Sequence, residues 1–186
     1  RLVIDAVTGV GSSDNIDTEV ASIDIDNTTS GGIVINETDA ISVIELDQNG
    51  SGVVTLDAAG TITIVNGTAG VTAMTGTVTL NATGGTSDVV INEDIITMGG
   101  LIDIDAGQDV ISTADDDIMT TAVSGTNSGA VDIDATRNVA LAGDIITTGE
   151  NNATADGTAD DGGQVNIDTT DVTISVVNIT TSGGNA

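Results

Sequence analysis

The sequence predicts an all-β protein, a parallel β-helix whose short strands wind into stacked, three-sided coils. The main observation is a phrase that occurs six times: a glycine, any residue, two aliphatic residues separated by one residue, then Asp or Asn. Its copies begin at Gly31, Gly52, Gly76, Gly100, Gly129 and Gly163. Repetition of this kind indicates a stack of equivalent units rather than a set of unlike strands.

A second repeated phrase shows where the units differ in length. It reads DIIT, DIMT, DIIT and NITT, and begins at Asp94, Asp117, Asp144 and Asn178. From the last aliphatic residue of the first phrase to the first Ile of the second, the interval changes only from 15 to 12 residues. From the second phrase to the next copy of the first, it grows from 9 to 22 residues. Insertions therefore collect at one corner of each coil, as a solenoid permits.

Each coil is expected to hold three short strands. In residues 131–134 aliphatic and acidic residues alternate, which is typical of a strand with one buried face, and residues 102–105 and 165–168 repeat this pattern. A third strand is predicted between the two phrases of most units, at residues 62–64, 89–91, 110–111, 139–141 and 172–174. Thr, Val and Ile favour strands, and the Gly, Asn, Asp and Ser between them favour turns.

The pattern also predicts the length and the core. Counting residues 2–5 as the first, we expect about seven coils, which form a rod segment roughly 35 Å long at a strand spacing of roughly 4.8 Å. Residues 11–25 do not follow the repeat and are expected to form a longer coil or an irregular segment. One core is predicted, in which Val131, Ile133, Val139, Leu141 and Ile145 lie over Ile102, Ile104, Val110, Ile111 and Ile118.

An antiparallel β-sandwich is the alternative fold, because strands and turn signals spaced roughly 8–12 residues apart suit it as well. The repeated phrases and the absence of Phe, Tyr and Trp favour the β-helix. By length, residues 1–186 are one domain. Because the chain begins with Arg, we expect this domain to be a β-helical segment of a longer polypeptide or filament.

Composition narrows the range of partners. The formal net charge is −27, and Arg1 and Arg137 are the only basic residues. Nucleic acids and anionic lipid surfaces would be repelled, so neither is expected as a partner. The 39% of apolar residues argues against disorder, and no apolar run is long enough to span a bilayer, so no membrane insertion is expected.

The repeat resembles a known class of bacterial proteins. The segments GAVDIDATRNVALAGDIITTG, from Gly129, and GGQVNIDTTDVTISVVNITTSGG, from Gly162, are similar to the degenerate repeats of filamentous-haemagglutinin-like exoproteins and large autotransporter adhesins. The resemblance covers most of the chain from Gly31 onward. It implies a right-handed β-helix in a secreted, cell-surface or filament-forming protein. On this basis we expect a structural rod segment of an extracellular adhesin or filament, stacked end to end on flanking repeats or on copies of itself.

An enzyme is not expected. His, Cys, Lys and Tyr are absent, which leaves carboxylates, hydroxyls and Arg137 as the internal groups for chemistry. An enzyme that cuts an acidic polysaccharide would need cationic groups to hold its substrate, and aromatic platforms for sugar stacking are missing too. No catalytic residue and no required cofactor are therefore predicted.

Asp103, Asp105, Asp132 and Asp134 are the candidate metal ligands. Two DxD strands on neighbouring coils place outward carboxylates in a grid, with spacings of roughly 6.7 Å along a strand and roughly 4.8 Å between coils. Such a grid invites a hard cation such as Ca²⁺, which prefers several oxygen ligands. The competing interpretation is a solvated acidic face that is screened by salt.

Two further features are weaker candidates. Acidic loop sets, at Asp115, Asp116 and Asp117 and at Asp156, Asp160 and Asp161, match no calcium-binding loop motif and are interpreted as polar corners. The TIT at Thr61 and the TVT at Thr77 resemble the TxT faces of ice-binding β-helices. A Ca²⁺-binding or ice-binding solenoid module is therefore the alternative function.

Overall fold

The computed structural model describes residues 1–122, 126–150, 160–170 and 173–184. Every pairing between strands in these ranges is parallel. They contain no helix, and hence none long and apolar enough to cross a membrane. The predicted parallel β-solenoid is confirmed, and the sandwich is wrong because its neighbouring strands would run antiparallel.

A smaller sheet contains the six strands of the first phrase and one earlier strand, Ile16–Thr18. Strands are numbered in chain order, and those of this sheet are β2 (Ile16–Thr18), β4 (Ile33–Glu37), β6 (Val54–Ala58), β9 (Val78–Ala82), β12 (Ile102–Ala106), β15 (Val131–Ala135) and β18 (Val165–Thr169). Each strand lies directly on its predecessor from the previous coil, for example Val54 on Ile33. The sequence repeat is therefore also the spatial repeat.

A larger sheet contains the remaining strands of the described residues. They are β1 (Leu2–Ala6), β3 (Ser22–Asn27), β5 (Ile41–Gln48), β7 (Ile62–Ile64), β8 (Gly70–Ala73), β10 (Val89–Ile91), β11 (Ile95–Thr97), β13 (Val110–Ser112), β14 (Ile118–Thr121), β16 (Asn138–Ala140), β17 (Ile145–Thr148), β19 (Thr173–Ser175) and β20 (Ile179–Ser182). The second repeated phrase supplies β11, β14, β17 and β20.

Strand β5 is the branch point of the larger sheet. Its first half pairs with β7 and its second half with β8. Beyond it the sheet divides into a first arm, β7, β10, β13, β16 and β19, and a second arm, β8, β11, β14, β17 and β20. Val43 and Leu46 are both buried with two residues between them, so the inward–outward alternation is interrupted at a β-bulge, where the pairing with β3 also shifts. The smaller sheet and the two arms are the three faces of the coil.

The core is a stack of aliphatic side chains, and most of the predicted contacts are confirmed. Nine of the ten predicted core residues are buried, and the register places Val131 on Ile102, Ile133 on Ile104, Val139 on Val110 and Ile145 on Ile118. The prediction for Ile111 is wrong. It pairs with Ala140 and is only partly buried, because its neighbour Val110 takes the inward position and successive side chains alternate.

Three further expectations concern the bounds of coils and strands. Residues 2–5, counted as the first coil, form β1, which pairs with β3 in the larger sheet and not with the strands of the first phrase. Residues 11–25, expected to form a longer coil or an irregular segment, contain β2 and the start of β3. The strand predicted at residues 139–141 lies one residue earlier, as β16, and Val172 lies outside the described residues.

Candidate functional site

The four candidate aspartates lie side by side on the outside of the smaller sheet. Asp103 pairs with Asp132, and Asp105 with Asp134. They point outward because the aliphatic residues that alternate with them are buried. Two of them belong to an outer column, called the Asx column, that contains Asp17, Asn36, Asp57, Asn81, Asp105, Asp134 and Asp168.

The neighbouring charges perturb the ionisation of these carboxyls. Burial, and then the charges of Asp132 and Asp134, raise the pKa of Asp103. Burial, and then the charges of Asp103 and Asp132, raise the pKa of Asp105. The pKa of Asp134 is raised by burial and then by Asp132, Asp105 and Asp168. Burial first, and then like charges about one strand spacing away, therefore favour the protonated forms of Asp103, Asp105 and Asp134.

Side-chain amides separate some of these charges. Asn36 Nδ2 donates to Asp17 Oδ1 at 3.0 Å. Asn166 Nδ2 donates to Asp132 Oδ1 at 3.0 Å and to Asp168 Oδ2 at 3.1 Å. In the Asx column, however, Asp105, Asp134 and Asp168 follow one another with no amide between them. Three carboxylates therefore follow one another along that stretch.

A shallow groove of about 500 Å³ follows the same stretch, lined by Asn81, Asp105, Asp134 and Asp168 and by small residues such as Ala106 and Ala135. Within the described ranges, no group of three or more acidic side chains that could hold a metal ion is found. Side chains in straight columns point in parallel, whereas Ca²⁺ takes about 6–8 converging oxygens. The grid is formed as predicted, and Ca²⁺ binding by it stays a prediction.

The weaker candidates are dispersed. Asp156 lies outside the described residues. Burial, and then the charges of Glu93 and Asp94, raise the pKa of Asp116. Thr63 lies on β7 of the larger sheet and Thr79 on β9 of the smaller sheet, so the two TxT motifs do not share a face.

At the corner between the second arm and the smaller sheet, the two repeated phrases are hydrogen-bonded to each other. The hydroxyl of Thr97 donates to the backbone carbonyl of Gly100 at 2.7 Å. In the next two coils Thr120 donates in the same way to Gly129, and Thr147 to Gly163, also at 2.7 Å. All three threonines are fully buried. The last residue of each second phrase therefore binds the first residue of the next first phrase.

Close backbone packing explains the glycine of the first phrase. A Cβ atom on Gly129 would lie 1.8 Å from the carbonyl oxygen of Gly100. On Gly163 it would lie 1.8 Å from the carbonyl oxygen of Gly129, and on Gly76 it would lie 1.6 Å from that of Gly52. These glycines contact one another from coil to coil, and no side chain fits at the glycine positions themselves.

The corner between the two arms explains the acidic start of the second phrase. The backbone N–H of Asp117 donates to Asp94 Oδ1 at 2.8 Å, and that of Asp144 donates to Asp117 Oδ1 at 2.9 Å. Asn178 continues the column with its side-chain Nδ2, which donates to Asp144 Oδ1 at 2.9 Å. Sequence reasoning missed this role, although the recurrence of Asp before the first Ile was a visible signal.

At the third corner, between the smaller sheet and the first arm, Arg137 binds a carboxylate. The backbone N–H of Asp88 donates to Thr61 Oγ1 at 3.1 Å, and that of Asp109 donates to Asp88 Oδ1 at 3.1 Å. In the next coil the backbone N–H of Asn138 donates to Asp109 Oδ1 at 3.0 Å. Arg137 Nη2 donates to Asp109 Oδ2 at 2.6 Å. The Arg137 guanidinium, helped by Asn138, holds the pKa of Asp109 below its usual range despite burial. Arg137 is thus bound within the corner.

Both ends of the described solenoid are open. Ile174 and Ile179 are 49% and 50% exposed, although their partners one coil below, Val139 and Ile145, are fully buried. At the other end Ile4 is partly exposed, whereas Ile25 above it is fully buried. The terminal coils therefore present core positions that are covered from one side only.

Comparison with protein-family models, with curated proteins and with solved structures finds no match to this chain. The fold and the site define a parallel β-solenoid with three hydrogen-bonded corners and an outer Asx column.

Proposed function

We propose that this chain is a structural rod segment of an extracellular bacterial adhesin or filament, and that the rod extends through its open ends. The supporting observation is one inward column that runs through the described coils, and whose terminal members, Ile4 and Ile179, are less buried than those between them. It contains Ile4, Ile25, Leu46, Val71, Ile95, Ile118, Ile145 and Ile179. A repeat array of this kind has no natural stopping point, because each coil contacts only its neighbours.

The corners and the charge suit this role. Each corner bonds one coil to the next, so the stack resists bending at all three faces, and each coil adds about 4.8 Å of length. A net charge of −27 keeps neighbouring rods apart and soluble where salt screens the repulsion within each rod. This charge pattern, together with the resemblance to adhesin repeats, supports an extracellular location.

The second candidate is a Ca²⁺-binding module. It is favoured by the run of Asp105, Asp134 and Asp168 along the groove, where three carboxylates follow one another at the strand spacing. A bound cation would offset the repulsion between these carboxylates. The rod needs no ion, so the two functions differ in their response to Ca²⁺. For an ice-binding face, the separation of the two TxT motifs offers no support.

Deleting one whole unit, residues 76–99, tests the rod. Gly100 would then follow Thr75, Ile102 would lie on Val54, and Ile118 would lie on Val71. We expect a folded protein with a single cooperative unfolding transition, without added Ca²⁺, and a length reduced by one strand spacing, about 4.8 Å. Circular dichroism and small-angle X-ray scattering measure both properties.

A control deletion separates unit stacking from general tolerance of deletions. Removing residues 86–99 takes out β10 and β11 but leaves β9, so two faces of one coil lose their strands. This variant should unfold, because the strands above would meet the wrong partners. If both deletions unfold the protein, or if the whole-unit deletion folds only with Ca²⁺, the proposed function is wrong.

A further inference from the structure

We infer that Asn66 is a site of spontaneous modification, at which its side chain cyclises with the amide nitrogen of Gly67 while the Glu93 carboxylate acts as the base. The sequence contains two Asn-Gly pairs, Asn49–Gly50 and Asn66–Gly67. Asparagine before glycine is prone to this reaction, because the residue that supplies the attacking nitrogen has no side chain to crowd it. The structure distinguishes the two pairs, and the inference does not depend on the proposed function.

The Asn66–Gly67 pair lies in an exposed turn between β7 and β8, the first strands of the two arms. Both residues are exposed, and Gly67 has a φ of 74°. Thr68 Oγ1 donates to the Val65 carbonyl at 2.6 Å and closes the turn. A Cβ atom on Gly67 would meet no atom within 4 Å. The backbone of this turn therefore has room to rearrange without displacing a neighbouring coil.

Glu93 contacts the amide nitrogen that has to attack. The Gly67 N–H donates to Glu93 Oε2 at 2.8 Å, and the Thr68 N–H donates to the same oxygen at 3.2 Å. A base needs to lie within about 2.6–3.2 Å of the atom whose proton it takes, and the first distance meets this condition. Gly67 and Glu93 are 26 residues apart, between β7 and β8 and between β10 and β11. Stacking of the coils therefore places the carboxylate at the turn.

The reaction has two steps and consumes only water. In the first step the Gly67 nitrogen bonds to Asn66 Cγ and passes its proton to Glu93. The bond from Cγ to the side-chain nitrogen breaks, and that nitrogen leaves with the proton as ammonia. In the second step water opens the five-membered succinimide ring, which leaves aspartate or isoaspartate. A nucleophile held beside its base favours the first step.

The Asn49–Gly50 pair is the internal comparison, because the fold restrains it. Asn49 Nδ2, which would be the leaving nitrogen, donates to Asp47 Oδ2 at 2.8 Å, and the Asn49 N–H donates to the Asn27 carbonyl at 3.0 Å. A Cβ atom on Gly50 would lie 2.0 Å from the Thr29 carbonyl oxygen, so the Gly50 backbone packs closely on the previous coil. Ring closure at Asn49 would have to break these contacts, and it is expected to be slow in the folded chain.

The modification changes charge and backbone at the point where the two arms separate. Each conversion adds one negative charge, and isoaspartate also adds one methylene to the backbone between β7 and β8. Because the surroundings of Gly67 are open, both strands should keep their pairing with β5. The folded chain is therefore expected to accumulate a chemical mark with age while it keeps its fold.

Peptide mapping by mass spectrometry measures both sites in one sample of the full chain, incubated folded at neutral pH. Asn66 should convert about tenfold or more faster than Asn49, because only Asn49 needs local opening. In concentrated guanidinium chloride the two rates should agree within about twofold, because the chain is then unfolded at both sites.

Two variants test the role of the base. Glu93→Gln keeps an oxygen that can accept the Gly67 hydrogen bond but removes the base, so the rate at Asn66 should fall about tenfold. Glu19→Gln removes one carboxylate at an exposed position away from the turn and should leave that rate unchanged. Circular dichroism checks that both variants fold.

Any of three results would overturn the inference. The first is that Asn66 and Asn49 convert at the same rate in the folded chain. The second is that the difference between them persists in guanidinium chloride, since the neighbours in sequence and not the fold would then set the rate. The third is that Glu93→Gln leaves the rate at Asn66 unchanged or raises it, which would mean that Glu93 only holds the turn closed.

Discussion

The buried hydroxyl of Thr97 donates a 2.7 Å hydrogen bond to the backbone carbonyl of Gly100, and this bond joins the end of one coil to the start of the next. Equivalent bonds join Thr120 to Gly129 and Thr147 to Gly163. The number of positions between the threonine and the glycine in sequence rises from 3 to 9 to 16, while the distance from the threonine Oγ1 to the glycine carbonyl oxygen stays at 2.7 Å. Insertions at this corner therefore leave the register of the strands unchanged.

Replacing Thr97 with Val should destabilise the protein. Valine has the shape of threonine, so the main change is that the Gly100 carbonyl loses its side-chain donor. A buried polar group left without a partner costs about 1–3 kcal/mol of unfolding free energy. Thr72→Val, on the outer surface of the neighbouring strand β8, is the matched control and should change the free energy by less than about 0.5 kcal/mol. Equal losses in urea unfolding would contradict a special role for the Thr97 hydroxyl.

Gly129→Ala should be more harmful than an alanine at a glycine with open surroundings. The new Cβ would lie 1.8 Å from the Gly100 carbonyl oxygen, so the backbone of two coils must move. Forcing atoms into packed space costs about 1–3 kcal/mol or more. Gly85→Ala is the control, because no atom lies within 4 Å of its Cβ position, and it should be neutral or stabilising by up to about 1 kcal/mol. Similar melting temperatures for both variants would show that the glycine column is not required.

The strand pattern from residue 31 onward was predictable because it depends on local alternation. An aliphatic residue at every second position fixes which side chains are buried, and this fixes the register, as Val131 on Ile102 shows. For the same reason the adjacency of Asp103 and Asp132 followed from the sequence. Whether four outward carboxylates converge on one point depends on the curvature of the sheet, and alternation contains no information about that.

The first coils were harder to predict. Residues 2–5 show the alternation of a first-phrase strand, but β1 belongs to the other sheet. Strand β5 serves both arms, and its bulge beside Ile44 has no Gly or Pro to mark it. The hydrogen bond from Asp117 to Asp94 spans 23 residues, so its geometry exists only once the coils are stacked.

Removing the charge of the carboxylate grid should raise stability near neutral pH. In the folded protein the pKa values of Asp103, Asp105 and Asp134 are raised, so the fold binds their protons more tightly than the unfolded chain does. Their favourable contribution is complete below the unfolded pKa of about 4 and is lost as the pH rises through the raised folded values. The triple Asn variant should therefore melt higher than the parent by about 2–4 °C at about pH 7.

The same variant should show a smaller gain at about pH 3, below the unfolded pKa, because the raised pKa values of Asp103, Asp105 and Asp134 favour their protonated forms there. Thermal melts followed by circular dichroism at the two pH values measure the difference. A gain of the same size at both pH values would mean that the substitutions act through packing and not through charge.

Calcium should stabilise the chain only as strongly as sodium does at matched ionic strength. The grid offers parallel carboxylates and no converging set of ligands within the described residues, so screening is the expected effect of either salt. The Asp103→Asn, Asp132→Asn double variant should respond to both salts alike. A larger rise in melting temperature with Ca²⁺ than with Na⁺, lost in the double variant, would instead support the Ca²⁺-binding module.

The distance between Thr55 and Asn166 tests most directly whether the units are interchangeable steps of a rod. Both lie in one outer column of the smaller sheet, Thr55, Thr79, Asp103, Asp132 and Asn166, so four strand spacings, about 19 Å, separate them. The chain has no cysteine, so Thr55→Cys and Asn166→Cys can carry spin labels at these two sites alone. Four extra copies of residues 76–99, inserted after Gly99, should lengthen the distance measured by double electron–electron resonance to about 38 Å with a narrow distribution. An unchanged or widely spread distance would contradict the rod.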